Sequence, residues 1–211
     1  DAGSTIVHNA ISNQKLSVGI MPYRKIMDAG IPIGLGSDGI STNDTPRIFD
    51  VMKAAALLHK VSTPDYPQGP SASEILRAGT INGARTAMID GDTGSLEAGK
   101  KADLIILDMK TLNFTPLNDV RNHLVYCENG SSIEKVMVNG EIVVEGNRLK
   151  RVDEAALLEE LRGHLPEFKK QHEQLEALNS AFRPAFEEIH KRCCGRDLGI
   201  NRFSRPPSEW Y

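Results

Sequence analysis

The first sixty residues alternate between short apolar runs and segments with helical signals, and this order constrains the fold more than any other feature. Residues 4–8 and residues 31–36 fit short buried strands, and the second run alternates large residues with Pro and Gly. Between them, residues 22–29 have Pro in the first turn and Gly30 just past the end, as helices often do. A further helix begins at Pro46. An order of strand, helix, strand, helix predicts parallel strands with helical crossovers, hence an α/β sheet or barrel.

The connections predict loops at residues 9–19 and 37–45. Further along, Ser71 to Glu74 forms a capping box that opens another helix, and a short helix is expected near residues 82–88. From Gly91 onward the pattern becomes β-rich.

The β-rich part contains three predicted strand regions, at residues 103–107, 120–126 and 133–144. In the last of these, Asn139-Gly140 joins two β-rich runs, which predicts a hairpin with a type I′ turn. The remaining chain is charged and helical, with Pro166 and Pro184 expected to break it, and residues 195–211 are expected to be irregular.

These changes of pattern predict three segments. Residues 1–92 form the α/β part, residues 93–151 a segment of a small β-sandwich, and residues 152–211 a helical and irregular extension. The chain enters a strand almost at once and begins with Asp1, so we expect it to be cut from a longer protein.

Composition narrows the function classes. The 211 residues carry a net charge of -3, which gives no electrostatic argument for a nucleic-acid partner. No apolar stretch approaches the roughly 18 residues of a membrane span, so no membrane partner is expected. Three cysteines cannot form a fully paired disulfide framework, which favours a reducing, cytoplasmic compartment.

The segment from Gly34 to Gly39 matches G-x-G-x-x-G, the dinucleotide-binding pattern. A nicotinamide-dependent oxidoreductase is therefore one hypothesis. In that fold the helix begins at the glycines, whereas here residues 41–46 are expected to delay it.

Asp38 is the other candidate in this segment. A carboxylate just past a parallel strand lies where α/β barrels keep their active sites, and it can bind a divalent metal or take a proton from water. Asp also caps turns, and spacing alone favours that simpler role.

Several ordered motifs resemble the metal-dependent amidohydrolases, in the branch of S-adenosylhomocysteine/methylthioadenosine, guanine and cytosine deaminases and triazine hydrolases. The resemblance covers about residues 5–150, in these segments: VHNAISNQKL from Val7, IGLGSDG from Ile33, GSLEAGKKADLIILD from Gly94 and VMVNG from Val136.

The resemblance implies the C-terminal part of a (β/α)8 TIM-type barrel with one divalent metal, zinc first and iron as the alternative. It implies hydrolysis of a C–N bond on a purine, pyrimidine, pterin or triazine ring. Asp38 matches the last-strand aspartate that binds the metal and carries a proton from water to the leaving group. His8 and Asn9 match the loop after the seventh strand, and with Asn13 and Gly39 they are the implied substrate-binding residues. Relatives usually carry Pro where this chain has Ala10.

The family's remaining metal ligands, a His-x-His pair and two single histidines, are not in this sequence. A catalytic zinc site takes three protein ligands, so the chain is expected to hold part of an active site and to be inactive alone. An inert fragment or a structural subunit stays open as a third hypothesis, as does a homo-oligomer. Four histidines are expected on the surface, and His123 is expected in a sandwich strand; the four are His59, His164, His172 and His190.

Overall fold

The computed structural model describes residues 3–62 and 64–196. Contacts divide the chain into two units, the first ending at Asn147 and the second beginning at Arg148. The predicted boundaries after residues 92 and 151 stay predictions. Within the described residues, no helix is both long and apolar enough to cross a membrane.

The first unit begins with two parallel strands, β1 (Ile6–His8) and β2 (Ile33–Leu35), as predicted. Ile6 pairs with Ile33, and His8 pairs with Leu35. The parallel pairing brings the carboxyl ends of the two strands to the same edge. The α/β character is confirmed, while two strands do not close a barrel, so the barrel itself is taken up as a proposal.

Six helices belong to the α/β part, two of them between the strands and four after β2. They are α1 (Ala10–Lys15), α2 (Tyr23–Asp28), α3 (Ile40–Asn43), α4 (Ile48–Leu58), α5 (Ala72–Gly79) and α6 (Ile81–Thr86). Single 3-10 turns lie at His59–Val61 and Tyr66–Gln68. The core beneath the strand edge contains Ile33, Met52, Ala55, Ala56 and Ile75.

Two predicted loops contain helices. Residues 9–19 include α1, and residues 37–45 include the four-residue α3. The helix α1 begins directly after Asn9, and α3 begins directly after Gly39. Neither residue caps its helix with a side-chain hydrogen bond, so the local sequence gives little sign of a helix. The capping box is confirmed, because Ser71 N donates to Glu74 Oε2 at 2.8 Å and Glu74 N donates to Ser71 Oγ at 3.3 Å.

The β-rich part forms a four-stranded sheet in the order β3 (Leu104–Leu107), β4 (Ile133–Val138), β5 (Glu141–Glu145) and β6 (Arg148–Leu149). The Asn-Gly hairpin is confirmed: Asn139 and Gly140 have φ of 50° and 82°, as a type I′ turn requires. A 3-10 turn lies at Leu112–Phe114.

The strand predicted at residues 120–126 is wrong, because this segment is helix α7 (Val120–Tyr126). The Asp119 carboxylate caps it, accepting hydrogen bonds from Arg121 N and Asn122 N at 2.9 and 3.0 Å. Leu124 and Tyr126 pack against the core of the α/β part, and Val125 belongs to that core. His123 therefore lies on a helix and not in a sandwich strand.

The second unit contains α8 (Glu154–Ser180) and α9 (Arg183–Cys194). Pro166 does not end α8, contrary to the prediction, whereas Pro184 lies in the first turn of α9, where its missing N–H costs little. Residues 197–211 of the predicted irregular end lie outside the described residues.

Candidate active site

The candidate site lies where β1 and β2 end. Asn9 directly follows β1, and Asp38 comes three residues after β2. The backbone continues the pairing past the strands, since Gly36 N donates to the His8 carbonyl at 3.1 Å. This register brings the two polar segments side by side.

Gly36 allows this close approach. A Cβ atom at this position would overlap Asn9 Oδ1 and would lie 2.7 Å from Val7 Cγ1. A side chain would therefore push the Asn9 segment away from β2. The face of this strand that was predicted to lack large side chains therefore contacts neighbouring protein atoms at residue 36.

Asp38 lies in the left-handed region with φ of 59°, and its side chain is exposed. Ser12 Oγ donates to Asp38 Oδ2 at 2.6 Å, and Gly39 N donates to Asp38 Oδ1 at 2.8 Å. These donors, Ser12 first, lower the pKa of the Asp38 carboxyl below its usual value. Asp38 is therefore ionised at neutral pH.

Ser12 reaches Asp38 from the segment that follows the other strand, β1. It lies on α1, is 2% exposed, and reaches across to Asp38 from 26 residues earlier in the chain. The hydrogen bond therefore fixes the carboxylate relative to the segment that follows β1.

The Asp38 carboxylate has lone pairs left for a cation. Ser12 Oγ and Gly39 N donate to different carboxylate oxygens, and a carboxylate has about four lone-pair sites. Within residues 3–62 and 64–196, no three His, Cys, Asp or Glu side chains cluster as a metal site. The described residues therefore do not form a complete metal site, and the role of Asp38 as a ligand stays a prediction.

The loop after Asp38 is held in place by local hydrogen bonds. Thr42 Oγ1 donates to the Gly39 carbonyl at 2.9 Å, and Lys15 Nζ binds Asp44 Oδ2 at 2.5 Å and the Ser41 carbonyl at 3.2 Å. The lysine connects α1 to α3, so both segments that flank Asp38 are tied together.

This loop does not resemble a dinucleotide-binding turn. A helix does begin right after Gly39, earlier than predicted, yet α3 has four residues and ends at Asp44 in the left-handed region. A dinucleotide-binding helix packs as a longer element whose N-terminus faces the pyrophosphate.

The predicted substrate-binding residues lie at the end of β1 and in the segments that follow β1 and β2. Asn9 and Asn13 are half-buried at the start and within α1, and Gly39 is exposed. His8 differs from them, because it is only 1% exposed. Its Nδ1 is also buried and has no hydrogen-bond partner among the described residues.

His59 is not on the surface, contrary to the prediction. It is 3% exposed, and its Nε2 lies 3.0 Å from His8 Nε2. Tyr23 closes this histidine cluster, with its ring centroid 4.9 Å from that of His59. His59 begins a 3-10 turn after α4 that folds back under β1, and nothing in its local sequence marks that return. The prediction holds for His164, His172 and His190, which are exposed.

Burial controls protonation in the histidine cluster. It lowers the pKa of His8 to about 3, with a smaller contribution from His59, and it lowers the pKa of His59 to about 4. Burial also raises the pKa of Tyr23 to about 12. All three side chains are therefore neutral at pH 7, and one histidine donates to the other.

The strand pairing defines an α/β part with a carboxylate at the strand ends, and comparison with known proteins defines the family. The model of the amidohydrolase family matches residues 2–143. The chain therefore belongs to the amidohydrolase family, and the predicted resemblance is confirmed.

Individual relatives agree with this assignment. The 5'-deoxyadenosine deaminase of Methanosarcina barkeri is 41% identical over 158 residues, which cover 75% of this chain and 36% of that protein. A zinc-bound adenosine deaminase from Xanthomonas campestris is 30% identical with a TM-score of 0.75, over 79% of this chain and 38% of that one. The zinc complex of an atrazine chlorohydrolase from Arthrobacter aurescens is 29% identical with a TM-score of 0.73, over 77% and 36%.

The chain thus spans little more than a third of the length of these relatives. None of these relatives is an oxidoreductase, so the nicotinamide hypothesis has no support from them. The relatives named here are deaminases and a chlorohydrolase.

Proposed function

We propose that the full-length protein is a metal-dependent hydrolase that cleaves a C–N bond on a nitrogen heterocycle. The first substrate class to test is an aminopurine nucleoside, since 5'-deoxyadenosine and adenosine deaminases are among the similar proteins. Pyrimidine, pterin and triazine rings follow. The observation that carries the proposal is the ionised, exposed Asp38 carboxylate, held by Ser12 at the shared edge of two parallel strands.

The proposal includes the architecture and the cofactor. In it, β1 and β2 are the last strands of a (β/α)8 barrel, whose active site lies at the carboxyl ends of the strands. Asp38 would bind a divalent metal, zinc first and iron second, because zinc is present in two of the similar structures. When bound, such a metal lowers the pKa of water and so supplies a nucleophile at neutral pH.

Asp38 supplies the proton transfers. Its free carboxylate lone pair accepts a proton as a water oxygen forms a bond to the ring carbon that bears the amine. The same proton then passes to the amine nitrogen, the C–N bond breaks and ammonia leaves. The ring carbon keeps the hydroxyl group, whose proton moves to a ring nitrogen to give the carbonyl product. Ser12 and the Gly39 N–H hold the carboxylate so that it need not reorganise between these steps.

The flanking residues would bind the ring. Asn9 and Asn13 offer amide donors and acceptors from the segment after β1, and Gly39 offers a surface without a side chain beside Asp38. His8, buried at the end of β1 and paired with His59, would support this segment from below. A small heterocyclic molecule is therefore the proposed partner, with a homo-oligomer as the proposed assembly.

We place the protein in a reducing, cytoplasmic compartment. The support is that Cys127 and Cys193 are exposed free thiols, which an oxidising compartment would tend to pair.

The test is Asp38→Asn in the full-length protein, with adenosine-type nucleosides as substrates. We expect the turnover rate to fall on the order of 10³-fold, because a positioned acid–base group contributes in that range. Asp44→Asn is the matched control, since this exposed carboxylate in the same loop pairs with Lys15 instead. Normal turnover of Asp38→Asn with full metal content would refute the role of Asp38.

A further inference from the structure

An apolar stripe runs along α8 and α9 and is not used by the proposed active site. Ten positions spaced alternately three and four residues apart run from Leu158 to Ile189, and eight of them hold large apolar side chains. This seven-residue repeat is typical of helices that pair along their length. The repeat continues over more than four heptads, which is longer than the apolar face of a short helix that packs on a domain core.

The two core positions of the repeat can be read directly. Taking Leu158 as position a, the d positions hold Leu161, Phe168, Leu175, Phe182 and Ile189. The a positions hold Leu158, Leu165, His172, Asn179, Phe186 and Cys193. Ala181 and Phe182, between the two helices, have backbone angles in the right-handed region, and the seven-residue count continues through them in the sequence.

The stripe is uncovered in this chain. Eight large apolar side chains at positions a and d are between 42% and 66% exposed. On one copy they expose on the order of 900 Å², which is comparable to the about 800 Å² per partner of a stable interface.

The charged residues of the helices lie off the stripe. Arg162 Nη1 pairs with Glu159 at 3.2 Å, and Arg192 Nε pairs with Glu188 at 2.8 Å, both outside a and d. Pro166 and Pro184 fall at positions b and f. The charged residues and both prolines are therefore at positions outside the apolar stripe.

We propose that the stripe pairs with the same stripe of a second copy of this chain, parallel and in register. The argument rests on His172 and Asn179, two polar residues at a positions. In a parallel in-register pair each meets its own counterpart, so Asn179 can hydrogen-bond to Asn179 of the other copy. An antiparallel pair or an unrelated apolar helix would place Asn179 against an apolar side chain and leave its amide unpaired.

The flanking positions are compatible with this arrangement. In a parallel pair, position g of one helix faces position e of the next repeat on the other. This sets Gln171 against Glu176 and Leu178 against Arg183. Neither pairing brings two like charges together.

The first test is the mass of the full-length protein by sedimentation, with paired substitutions. Phe168→Glu/Leu175→Glu places two carboxylates on the stripe, and we expect the mass to fall by half or more. Gln174→Glu/Ala177→Glu adds the same charge off the stripe, and we expect no change in mass. A monomeric unaltered protein, or equal masses for both variants, would overturn the proposal.

The second test reads orientation and does not depend on how well the first variant folds. In a background of Cys127→Ser/Cys193→Ser/Cys194→Ser, we expect Leu161→Cys to form an intermolecular disulfide under mild oxidation. Ala177→Cys, on the outer face, is the control and should stay monomeric on a non-reducing gel. No crosslink at residue 161, or equal crosslinking at residues 161 and 177, would overturn the parallel register.

Discussion

The ends of the two parallel strands hold titratable groups in opposite environments. Asp38, beyond β2, is exposed and hydrogen-bonded by donors that favour its charge. His8, the last residue of β1, is buried against His59, and both are neutral. The strand pair thus separates a charged group that faces outward from uncharged groups that support it.

The difference shows why the two kinds of residue have different uses. A carboxylate that binds a cation and exchanges protons needs access to water and ligands, and its donors need only hold its direction. A buried histidine pair provides a hydrogen bond without a charge, which suits support of the backbone below a site. Three predictions test this contrast, and they run from the largest expected effect to the smallest.

The largest effect concerns stability in acid. The unfolded chain binds protons on His8 and His59 near pH 6.5, while the folded chain binds them only near pH 3 and 4. The free energy of unfolding therefore falls as the pH drops below 6.5, by about 1.4 kcal/mol per pH unit for each histidine.

His59→Gln tests this effect, because glutamine can still hydrogen-bond to His8 but does not titrate. Denaturant unfolding of the full-length protein between pH 7.5 and 5 should show a shallower loss of stability. His164→Gln, at an exposed histidine of α8, should leave the pH dependence unchanged. An identical slope for His59→Gln and the unaltered protein would contradict the burial argument.

The second effect concerns Ser12. Ser12→Ala removes the donor to Asp38 Oδ2, and we expect kcat to fall roughly tenfold, about 1.4 kcal/mol of activation free energy, with little change in KM. Ser12→Thr keeps the hydroxyl and should retain more activity.

Steady-state kinetics combined with thermal melting distinguishes a loss of Asp38 positioning from a loss of folding stability. If Ser12→Ala and Ser12→Thr lose kcat equally while melting at the same temperature as the unaltered protein, the hydroxyl does not position Asp38.

The smallest effect concerns an ion pair that is neither fully buried nor fully exposed. Arg24 and Glu74 are about a quarter exposed and pair at 2.9 Å beside Tyr23. Arg24 also donates to the Gly69 carbonyl at 3.1 Å. Arg24→Lys loses the forked geometry, so we expect a loss of about 1 kcal/mol in the free energy of unfolding, with kcat unchanged. Arg47→Lys, on an exposed pair, should cost less. Equal costs in denaturant unfolding would show that partial burial adds nothing.

The same contrast explains what the sequence could predict. Local signals were sufficient for the Ser71 capping box and the Asn139-Gly140 hairpin, because each depends on adjacent residues. The parallel strands were predictable from the order of strands and helices along the chain. Asp119 before residues 120–126 is also a local signal, the N-cap of a helix, and β-rich composition concealed it.

Long-range contacts were not predictable in this way. His59 reaches His8 from 51 residues away, and Ser12 reaches Asp38 from 26 residues away. Such pairs depend on how helices return to the strand edge, which no single segment encodes. The resemblance to the family identified Asp38, but it could not identify the side chains that hold it.

The most direct test of the account is the position of a metal relative to Asp38. Anomalous diffraction at the zinc edge from crystals of the full-length protein would locate the ion. The account predicts a peak about 2.0–2.2 Å from an Asp38 carboxylate oxygen, the range for zinc bound to oxygen. A fully occupied metal site with Asp38 outside its coordination would contradict it.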